Sequence, residues 1–360
     1  MDANKRLILA VALSFLLLLG FQLLFPPPAP PPPAPPEEVA EIEERPAPEA
    51  PPAQPSRPAE PERTATLQSE ALRLVFSSHG AGVQTAELLG PKGRRQGTDA
   101  EQVDLADGLL PEDPRVFELR TGGGLPELGE RHPCRLIDST AEEVRFLCES
   151  GGLAVEKRFR MSGERTLHLQ ASLRNQTGRS VEGFVDLIVP ARVDPAQQSG
   201  GGCGGLARAG TLPTRMICRH GDDLTTETFD PKEPVSRPAG PASFAGIDER
   251  YFLMVAAPMM PRLASSCELV GVSDSLLETP LRTEVGRIAP GDSVNLAWEL
   301  VIGQKEIGFL KGVSQRIAGE ARMANPELDE TVDLGFWAAI ARILLWFLTL
   351  FHSMIPNWGV

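Results

Sequence analysis

Leu167-His-Leu-Gln-Ala-Ser-Leu-Arg174 alternates apolar and polar residues along its whole length. Val294-Asn-Leu-Ala-Trp-Glu-Leu-Val301 has the same period of two, and so do the stretches 153–159 and 72–76. Because successive side chains of a β-strand point to opposite faces of its sheet, this pattern predicts strands with one buried face. These four stretches therefore predict a protein built mainly of β-sheet.

Comparable stretches extend over residues 67–303, separated by turn signals such as Gly80-Ala-Gly82 and Asn175-Gln-Thr-Gly178. The residues of this region that precede Gln304 show almost no helical periodicity. Many strands without intervening helices favour a sandwich of sheets over a doubly wound α/β sheet. We therefore predict one large β-sandwich over residues 67–303.

The pattern changes from a period of two to a helical period at Gln304. The apolar residues that recur at helical spacing are Ile307, Leu310, Val313, Ile317 and Ala321. Such a stripe is typical of a helix that buries one side against a protein core. We predict a helix over residues 304–324 that packs on the edge of the sandwich.

The amino terminus contains a near-continuous apolar run, Leu7 to Phe25. Its length is close to the roughly 20 residues that span a bilayer. Lys5 and Arg6 precede the run, and the next basic residue is Arg45. The positive-inside rule then places residues 1–6 in the cytoplasm and the remainder across the membrane. A cleaved signal peptide is the alternative, but its apolar region is normally shorter, so we predict an uncleaved anchor at 7–25.

Residues 26–66 form a segment rich in proline and glutamate, in which 16 of the 36 residues from Pro26 to Pro61 are proline. Such a composition cannot bury a core and favours an extended polyproline II conformation. A proline-rich ligand for a recognition domain is possible in principle. We interpret the segment as a tether that holds the sandwich away from the membrane.

The composition limits the class of partner. The chain has 360 residues, of which 42% are hydrophobic, enough for a sizeable core, and its formal net charge is −13. This strongly negative net charge argues against nucleic acid as a partner, because binding to phosphates requires a basic surface. A negative net charge is consistent with a soluble domain outside the cytoplasm.

The five cysteines do not form a metal-binding pattern. They stand at Cys134, Cys148, Cys203, Cys218 and Cys267, with no CxxC pair and no zinc spacing. Cys134 with Cys148, or Cys203 with Cys218, could pair in an oxidising compartment. Because the predicted sandwich is too large to need covalent cross-links, we expect buried or unreactive thiols instead.

The sequence offers no catalytic, cofactor or metal constellation. The histidines are scattered at His79, His132, His168, His220 and His352, and HExxH and GxSxG are absent. The glycine-rich stretch 200–205 lacks the flanking strand, helix and lysine of a phosphate loop, so we interpret it as a flexible connection. Large sandwiches can host sugar chemistry, but the aromatic residues that line such sites are few here. We predict that the protein is not an enzyme.

Residues 336–355 form a second long apolar stretch, crossed by a narrow polar stripe that includes Arg342 and His352. An interfacial helix would lie flat, with this stripe toward the lipid headgroups. A spanning helix is also long enough, but Arg342 would cost about 2.5–3.5 kcal/mol near the bilayer centre. Residue types alone leave both orientations open.

Four stretches together resemble the amino-terminal half of the bacterial YidC membrane protein insertases, of the YidC/Oxa/Alb family. They are Met1–Arg6 before an apolar helix, Leu72–Lys92, Phe244–Pro258, and Leu328–Gly335 followed by the apolar stretch and Asn357–Gly359. The third is similar to the family's WxGxxxxYFxxxxxP pattern, with phenylalanine in place of tryptophan. Order and spacing agree over essentially the whole chain.

The resemblance implies a periplasmic β-supersandwich similar to galactose mutarotases, without enzymatic activity, on a protein of the bacterial inner membrane. It implies assistance to the insertion and folding of inner-membrane proteins. The implied partners are the Sec translocon, nascent membrane proteins and membrane lipid, with no cofactor. It also favours an interfacial amphipathic helix within residues 325–360.

One departure from the family concerns the insertase core. In the family, the segment after Asn357-Trp-Gly359 begins five core helices, and a groove arginine lies in the first of them. Arg342 precedes this motif and does not match that arginine, so no functional residue is carried over. We expect a chain that stops before the core, as a truncation or as part of a longer protein. The alternative is a membrane-anchored sandwich that binds a protein or glycan without insertase activity.

Overall fold

Eighteen β-strands form most of the structure, a computed structural model that describes residues 61–90, 102–194, 214–230, 232–238 and 240–332. In chain order the strands are β1 (Thr64–Gln68), β2 (Leu72–Ser77), β3 (Gly82–Leu88), β4 (Glu118–Gly123), β5 (Arg135–Ser139), β6 (Glu143–Ser150), β7 (Leu153–Gly163), β8 (Thr166–Asn175), β9 (Val181–Arg192), β10 (Arg215–His220), β11 (Asp223–Glu227), β12 (Val235–Ser236), β13 (Ala242–Asp248), β14 (Phe252–Pro258), β15 (Ser265–Cys267), β16 (Leu269–Gly271), β17 (Leu276–Ile288) and β18 (Ser293–Gln304).

The strands form three antiparallel sheets. A nine-stranded sheet has the order β11-β10-β13-β14-β18-β8-β7-β6-β5. A six-stranded sheet has the order β12-β16-β17-β9-β4 with β15 also paired to β17, and β1-β2-β3 form a small third sheet. The prediction of a mainly β, antiparallel sandwich is therefore confirmed.

The alternating stretches occupy adjacent strands of the nine-stranded sheet. In β8, the four apolar residues of the pattern, Leu167, Leu169, Ala171 and Leu173, are all buried in the main core. β18 pairs with β8 so that Trp298 lies opposite Leu169, and both side chains point into the same core. The period of two thus identified the inner face of both strands.

The main core lies between the nine-stranded and six-stranded sheets and extends under the small sheet. Phe76 of β2 packs against Phe159 of β7, with ring centroids 4.7 Å apart. Lys157 of β7 is fully buried in this region and donates hydrogen bonds to the carbonyl oxygens of Ala81 and Phe117, at 2.5 and 2.9 Å. These contacts join the small sheet to the rest of the sandwich.

The hairpin between β6 and β7 shows why glycine is required at one predicted turn. Gly151 and Gly152 both have positive φ, 52° and 84°. A two-residue hairpin turn of this type needs the left-handed region at both central positions, which glycine adopts without steric cost.

The first strand begins earlier than expected. Residues 64–66, assigned above to the tether, belong to β1, where Ala65 and Leu67 are buried and the alternate residues are exposed. Only Leu67 carries a large apolar side chain, so the preceding threonine-rich residues did not stand out as part of a strand.

In the described part of the chain, one α-helix, α1, covers Ile307–Ala321, where the sequence changes to helical periodicity. Its buried residues Leu310, Val313 and Ile317 pack against one face of the nine-stranded sheet. The sheet residues in this second core are Ile217, Phe244, Leu253, Val255, Ala257 and Val301. Each buried aliphatic side chain stabilises such packing by roughly 1.5–3 kcal/mol.

The predicted position of α1 at an edge of the sandwich is therefore wrong. The helix covers the outer face over β10, β13, β14 and β18, whereas the edge strands of this sheet are β5 and β11. β14 explains the difference, because it is buried on both faces from Leu253 to Pro258. A strand that is apolar on both faces needs a covering layer on each side.

Two disulfide bonds correct the expectation of buried or unreactive thiols. Cys134 is bonded to Cys148, one of the pairs considered above, and Cys218 is bonded to Cys267. The alternative pair of Cys203 with Cys218 is wrong, because Cys218 bonds a cysteine of the other sheet. The sequence does not show which cysteine pairs with Cys218, because the pairing depends on which strands face each other across the core.

Several predictions concern residues outside the described ranges. They are the anchor at 7–25, the tether from 26 to 60, the glycine-rich stretch 200–205 and the apolar stretch 336–355. Within the ranges that the structure describes, no helix has both the length and the apolar character to cross a bilayer.

Candidate functional site

The structure does not gather the histidines at one site. The segments that carry His79 and His132 run side by side, since His79 forms an antiparallel bridge with Pro133 and the N–H of Gly80 donates to the carbonyl oxygen of His132 at 2.9 Å. His168 and His220 lie on strands β8 and β10, and His352 lies outside the described residues. His132 contacts the carbonyl oxygen of Glu149, and His220 contacts the Thr225 hydroxyl. In the described ranges, no group of three or more His, Cys, Asp or Glu residues is arranged to hold a metal ion.

His168 is the histidine that faces a buried acid. It lies opposite Glu299 on the adjacent strand, with Nδ1 3.4 Å from Oε2. Arg316 of α1 donates a hydrogen bond to Oε1 of Glu299 at 2.7 Å, and the Ser162 hydroxyl of β7 donates another at 2.5 Å. The Glu299 side chain is fully buried and thus joins three strands and the helix.

The environment of Glu299 favours its charged form. Burial of the carboxyl alone would raise its pKa. Hydrogen bonds from His168, Arg316 and Ser162 outweigh burial and lower the pKa below its usual value. A carboxylate that is committed to three donors and kept anionic is a poor proton acceptor, so this acid–histidine pair acts as a structural tie between α1 and the sheet.

A second set of polar contacts holds the chain where it leaves α1. We call it the exit latch and define it as Arg219, Lys305, Ser314 and residues 327–331. Residues Leu328–Thr331 form a short 3₁₀ turn. Arg219 is 5% exposed and forms ion pairs with both Glu327 and Glu330.

The centre of the exit latch is buried. Leu328 is fully buried in the second core, and its backbone N–H donates to the Ser314 hydroxyl of α1 at 2.9 Å. Because a buried N–H without an acceptor is costly, this hydrogen bond and the apolar contact of Leu328 reinforce each other. Glu327 adopts a left-handed backbone, φ 53°, which turns the chain back onto the sheet.

Lys305 provides the other side of the exit latch. Its ammonium group bonds Asp248 at 2.7 Å and the carbonyl oxygen of Thr331 at 3.2 Å. Asp248 is buried and is also paired with Arg215 at 2.5 Å. Two cations thus neutralise one buried carboxylate, as burial of a charge requires. The segment after Thr331 therefore starts from a fixed point on the outer face of the sheet.

Another buried acid and base lie beneath the small sheet. Burial lowers the pKa of Lys157 to about 7, against the opposing effect of the Glu118 charge. Burial likewise raises the pKa of Glu118, whose carboxylate accepts backbone N–H groups of Arg115 and Arg131. Lys157 and Glu118 are enclosed between the small sheet and the sandwich, so solvent does not reach them. Their hydrogen bonds to backbone groups stabilise the fold.

An open groove crosses the outer face of the nine-stranded sheet. It lies over β7, β8 and β18 and is lined in part by Arg158, Gln170, Ser172 and Asn295. The groove has a volume of about 450 Å³ and is open to solvent. Arg158 is already within ion-pair distance of Glu143 and Glu156, so the basic group is internally neutralised.

No pattern in the sequence singles out Glu299, Arg219 or Lys305, because each finds its partners across strands or across the second core. A signal was present for the exit latch itself. Leu328-Asp-Glu-Thr331 begins the fourth stretch of the resemblance, although its role in docking could not be inferred from residue types.

Fold and site together define an antiparallel β-sandwich in which α1 and the segment that follows it are bound to the outer face of the largest sheet. Residues 129–347 match the family model of the YidC periplasmic domain. This match covers more than half of the chain, and the chain belongs to the YidC family.

Curated relatives extend the similarity. A protein of Anaeromyxobacter dehalogenans (strain 2CP-C) named membrane protein insertase YidC is 31% identical over 99% of this chain. A protein of the same name from Geotalea daltonii is 24% identical over 99% of this chain. The chain spans 65% of the length of the first relative and 66% of the second.

Solved structures with similar folds include a galactose mutarotase related enzyme from Lactobacillus acidophilus, with a TM-score of 0.42 and 9% identity. The match covers 67% of this chain and 97% of that one. A galactose mutarotase-like protein from Lactobacillus casei has a TM-score of 0.42 and 8% identity, covering 67% of this chain and 100% of that one.

Proposed function

We propose that this chain is the amino-terminal portion of a YidC-type insertase and that it assists the insertion and folding of proteins in the bacterial inner membrane. The observation that carries the proposal is the match of residues 129–347 to the YidC periplasmic domain. Relatives named membrane protein insertase YidC, similar over 99% of the chain, support it.

The proposed arrangement follows the order of the segments. Residues 1–6 lie in the cytoplasm, 7–25 anchor the chain, and 26–63 tether the sandwich in the periplasm. The apolar stretch 336–355 lies along the periplasmic surface of the membrane. Two disulfide bonds in the sandwich support this location, because disulfides form and persist in oxidising compartments such as the periplasm.

The proposed role is non-enzymatic and depends on where the sandwich lies relative to the membrane. The exit latch fixes the start of the segment that continues toward 336–355, so the sandwich is held close to the membrane surface where substrates emerge. Nascent membrane proteins, the Sec translocon and lipid are the proposed partners. The alternative, an anchored module that binds a protein or glycan without insertase activity, is not favoured by the names of the relatives.

A crosslinking experiment tests this role. A photoreactive amino acid would replace Tyr251, which is 61% exposed and whose carbonyl oxygen accepts a hydrogen bond from the backbone N–H of Lys305 in the exit latch. The matched control position is Val272, 51% exposed and next to β16 of the six-stranded sheet. Each full-length variant would be expressed in bacteria that synthesise a stalled single-span inner-membrane protein.

We expect crosslinks from position 251 to the stalled membrane protein, several-fold above those from position 272. A stalled soluble periplasmic protein should give few crosslinks at either position. Equal yields for the two positions, or for the two stalled proteins, would contradict the proposed role.

A further inference from the structure

Two turns lie together at one end of the nine-stranded sheet. The turn at residues 249–251 joins β13 to β14, and the turn at residues 164–165 joins β7 to β8. Both turns lie where β18 leaves the sheet, because Phe252 is paired with Gln304, whose carbonyl oxygen accepts a hydrogen bond from Arg165 at 3.3 Å. We call this end the exit end and define it by residues 164–165, 249–251 and 304–309.

Each of these turns contributes an arginine that is stacked on an aromatic ring. The Arg250 guanidinium lies 5.0 Å from the centroid of the Tyr251 ring, and the Arg165 guanidinium lies 3.9 Å from that of Phe309 in α1. Tyr251 is 61% exposed, more than any other large hydrophobic side chain in the described ranges. Within those ranges Arg250 forms no ion pair, whereas Arg165 is paired with Glu306. The exit end therefore presents an exposed aromatic ring beside an unpaired cation.

The chain between the exit latch and the second apolar stretch is short. Lys305 connects the two regions, because its backbone N–H donates to the carbonyl oxygen of Tyr251 at 2.9 Å and its ammonium group donates to that of Thr331 at 3.2 Å. Phe336 follows Thr331 by five residues, which span about 18 Å at most. The surface that receives residues 336–355 therefore begins within this reach of the exit end.

We propose that the exit end faces the membrane and that Arg250 and Tyr251 contact phospholipid headgroups. This orientation rests on the proposed function, which places residues 336–355 along the membrane surface. Tyrosine suits that boundary because its ring is apolar while its hydroxyl stays in water, and arginine pairs with the phosphate of a lipid. The strands of the nine-stranded sheet then point toward the membrane, and the sandwich stands on its exit end.

Two other surfaces of the sandwich offer no comparable anchor. The exposed residues of α1 are glycine or polar, namely Gly308, Lys311, Gly312, Gln315, Gly319 and Glu320. The opposite end of the sheet is about 30 Å away, because β8 extends over ten residues from Thr166 to Asn175. The exposed residues of the turn after β8 are again glycine or polar, namely Gln176, Gly178, Arg179 and Ser180. Of these three surfaces, the exit end is the one that suits a lipid boundary.

Photo-crosslinking in lipid nanodiscs tests the proposal. The full chain would be reconstituted in discs of phosphatidylethanolamine and phosphatidylglycerol, without translocon or nascent protein. A photoreactive amino acid would replace Tyr251 in one variant and the exposed Gln176, at the opposite end of the sheet, in the matched control. We expect lipid adducts from position 251 about tenfold above those from position 176, because the control position lies about 30 Å from the exit end. Mass spectrometry measures the adducts, and equal yields from the two positions would overturn the proposal.

The contribution of Arg250 is tested in the same discs. With the photoreactive residue at position 251, Arg250→Gln should lower the adduct yield about fivefold, because it removes the cation that pairs with lipid phosphate. Arg174→Gln is the matched control, because Arg174 is exposed near the opposite end of β8, and it should leave the yield unchanged. Equal yields from the two arginine variants would refute the assignment of Arg250 to a lipid contact.

A third position separates this orientation from the proposed function. A photoreactive residue in place of Phe347 reports whether residues 336–355 meet lipid. Adducts from position 347 without adducts from position 251 would overturn the orientation of the sandwich and leave the proposed function intact. An absence of adducts from both positions would contradict the proposed arrangement along the membrane surface and, with it, this orientation.

Discussion

Glu299 shows how one residue can fix the relation between a helix and a sheet. Its carboxylate is fully buried and accepts hydrogen bonds from Arg316 of α1 and from Ser162 near the end of β7. The sequence predicts that the neighbouring His168 lies on the polar face of β8, which is where the structure places it. It could not predict the partnership with Glu299, because the register of β8 against β18 is a long-range property.

The lowered pKa of Glu299 makes its contribution to stability dependent on pH. The stabilisation is fully present above the unfolded pKa, about 4.3 for glutamate, and is lost as pH falls through the lower folded pKa. Glu299→Gln keeps the size of the side chain and removes the charge. We expect it to lower the free energy of unfolding by about 2 kcal/mol at pH 7. The difference should shrink as the pH falls below the unfolded pKa of about 4.3 and through the lower folded pKa, as measured by urea denaturation.

Glu306 provides the matched control for this measurement. It forms an ion pair with Arg165 at 3.4 Å, but its side chain is 43% exposed. Glu306→Gln should change stability by less than about 1 kcal/mol, because exposed pairs contribute little. A constant difference between the parent protein and Glu299→Gln over the whole acid titration would refute the assigned role of the Glu299 charge.

At the scale of elements, α1 and the exit latch form one unit on the outer face. Leu310 and Val313 of the helix share the second core with Leu328, which lies beyond the helix end. Ion pairs from Arg219 and Lys305 surround this apolar contact. The helix and the following turn are thus attached by both burial and charge, which favours joint docking.

Arg219→Met tests whether the ion pairs hold the exit latch. Methionine is similar in length and suits a site that is 5% exposed, so α1 should remain in place. Without the two ion pairs to Glu327 and Glu330, we expect residues 327–332 to open more often. Hydrogen exchange of the peptide containing Leu328 should accelerate about tenfold or more, while peptides from β8 should be unchanged.

Lys311→Met is the control for the exit latch. Lys311 lies 3.8 Å from Asp329 and is 59% exposed, so removing this pair should leave exchange near Leu328 unaltered. Equal acceleration in the two variants would show that Arg219 has no special part in holding the segment.

The sequence predicted the existence of α1 better than its location. The apolar stripe indicates which side of the helix is buried but carries no information about the surface that covers it. A usable signal was Leu253-Met-Val-Ala-Ala257 in β14, an uninterrupted apolar run that requires cover on both faces. The exit latch could not be predicted, because its charges come from separate parts of the chain.

At the scale of the molecule, the period of two was sufficient for the fold class. It identified buried faces in long strands such as β8 and β18. Which strands face each other is decided by packing between sheets, and no local pattern encodes it. The pairing of Cys218 with Cys267 was missed for this reason, since the two cysteines belong to different sheets.

The two disulfides should therefore differ in their effect on the stability of the whole sandwich. In the chain-entropy model, a cross-link closing 49 residues stabilises by about 4 kcal/mol and one closing 14 residues by about 3 kcal/mol. Cys218→Ala/Cys267→Ala should lower the free energy of unfolding by about 1 kcal/mol more than Cys134→Ala/Cys148→Ala. Urea denaturation of the two oxidised variants measures this difference.

The positions of the two disulfide bonds in the sandwich lead to the same expected order of stability losses as the chain-entropy model. Cys134 directly precedes the edge strand β5, and Cys148 lies in its hairpin partner β6, so backbone hydrogen bonds already hold the two cysteines close. Cys218 and Cys267 join the two large sheets, which meet mainly through apolar side chains. A larger loss from the Cys134 and Cys148 variant would contradict both arguments. It would place the weakest part of the sandwich at the edge of the sheet and not between the sheets.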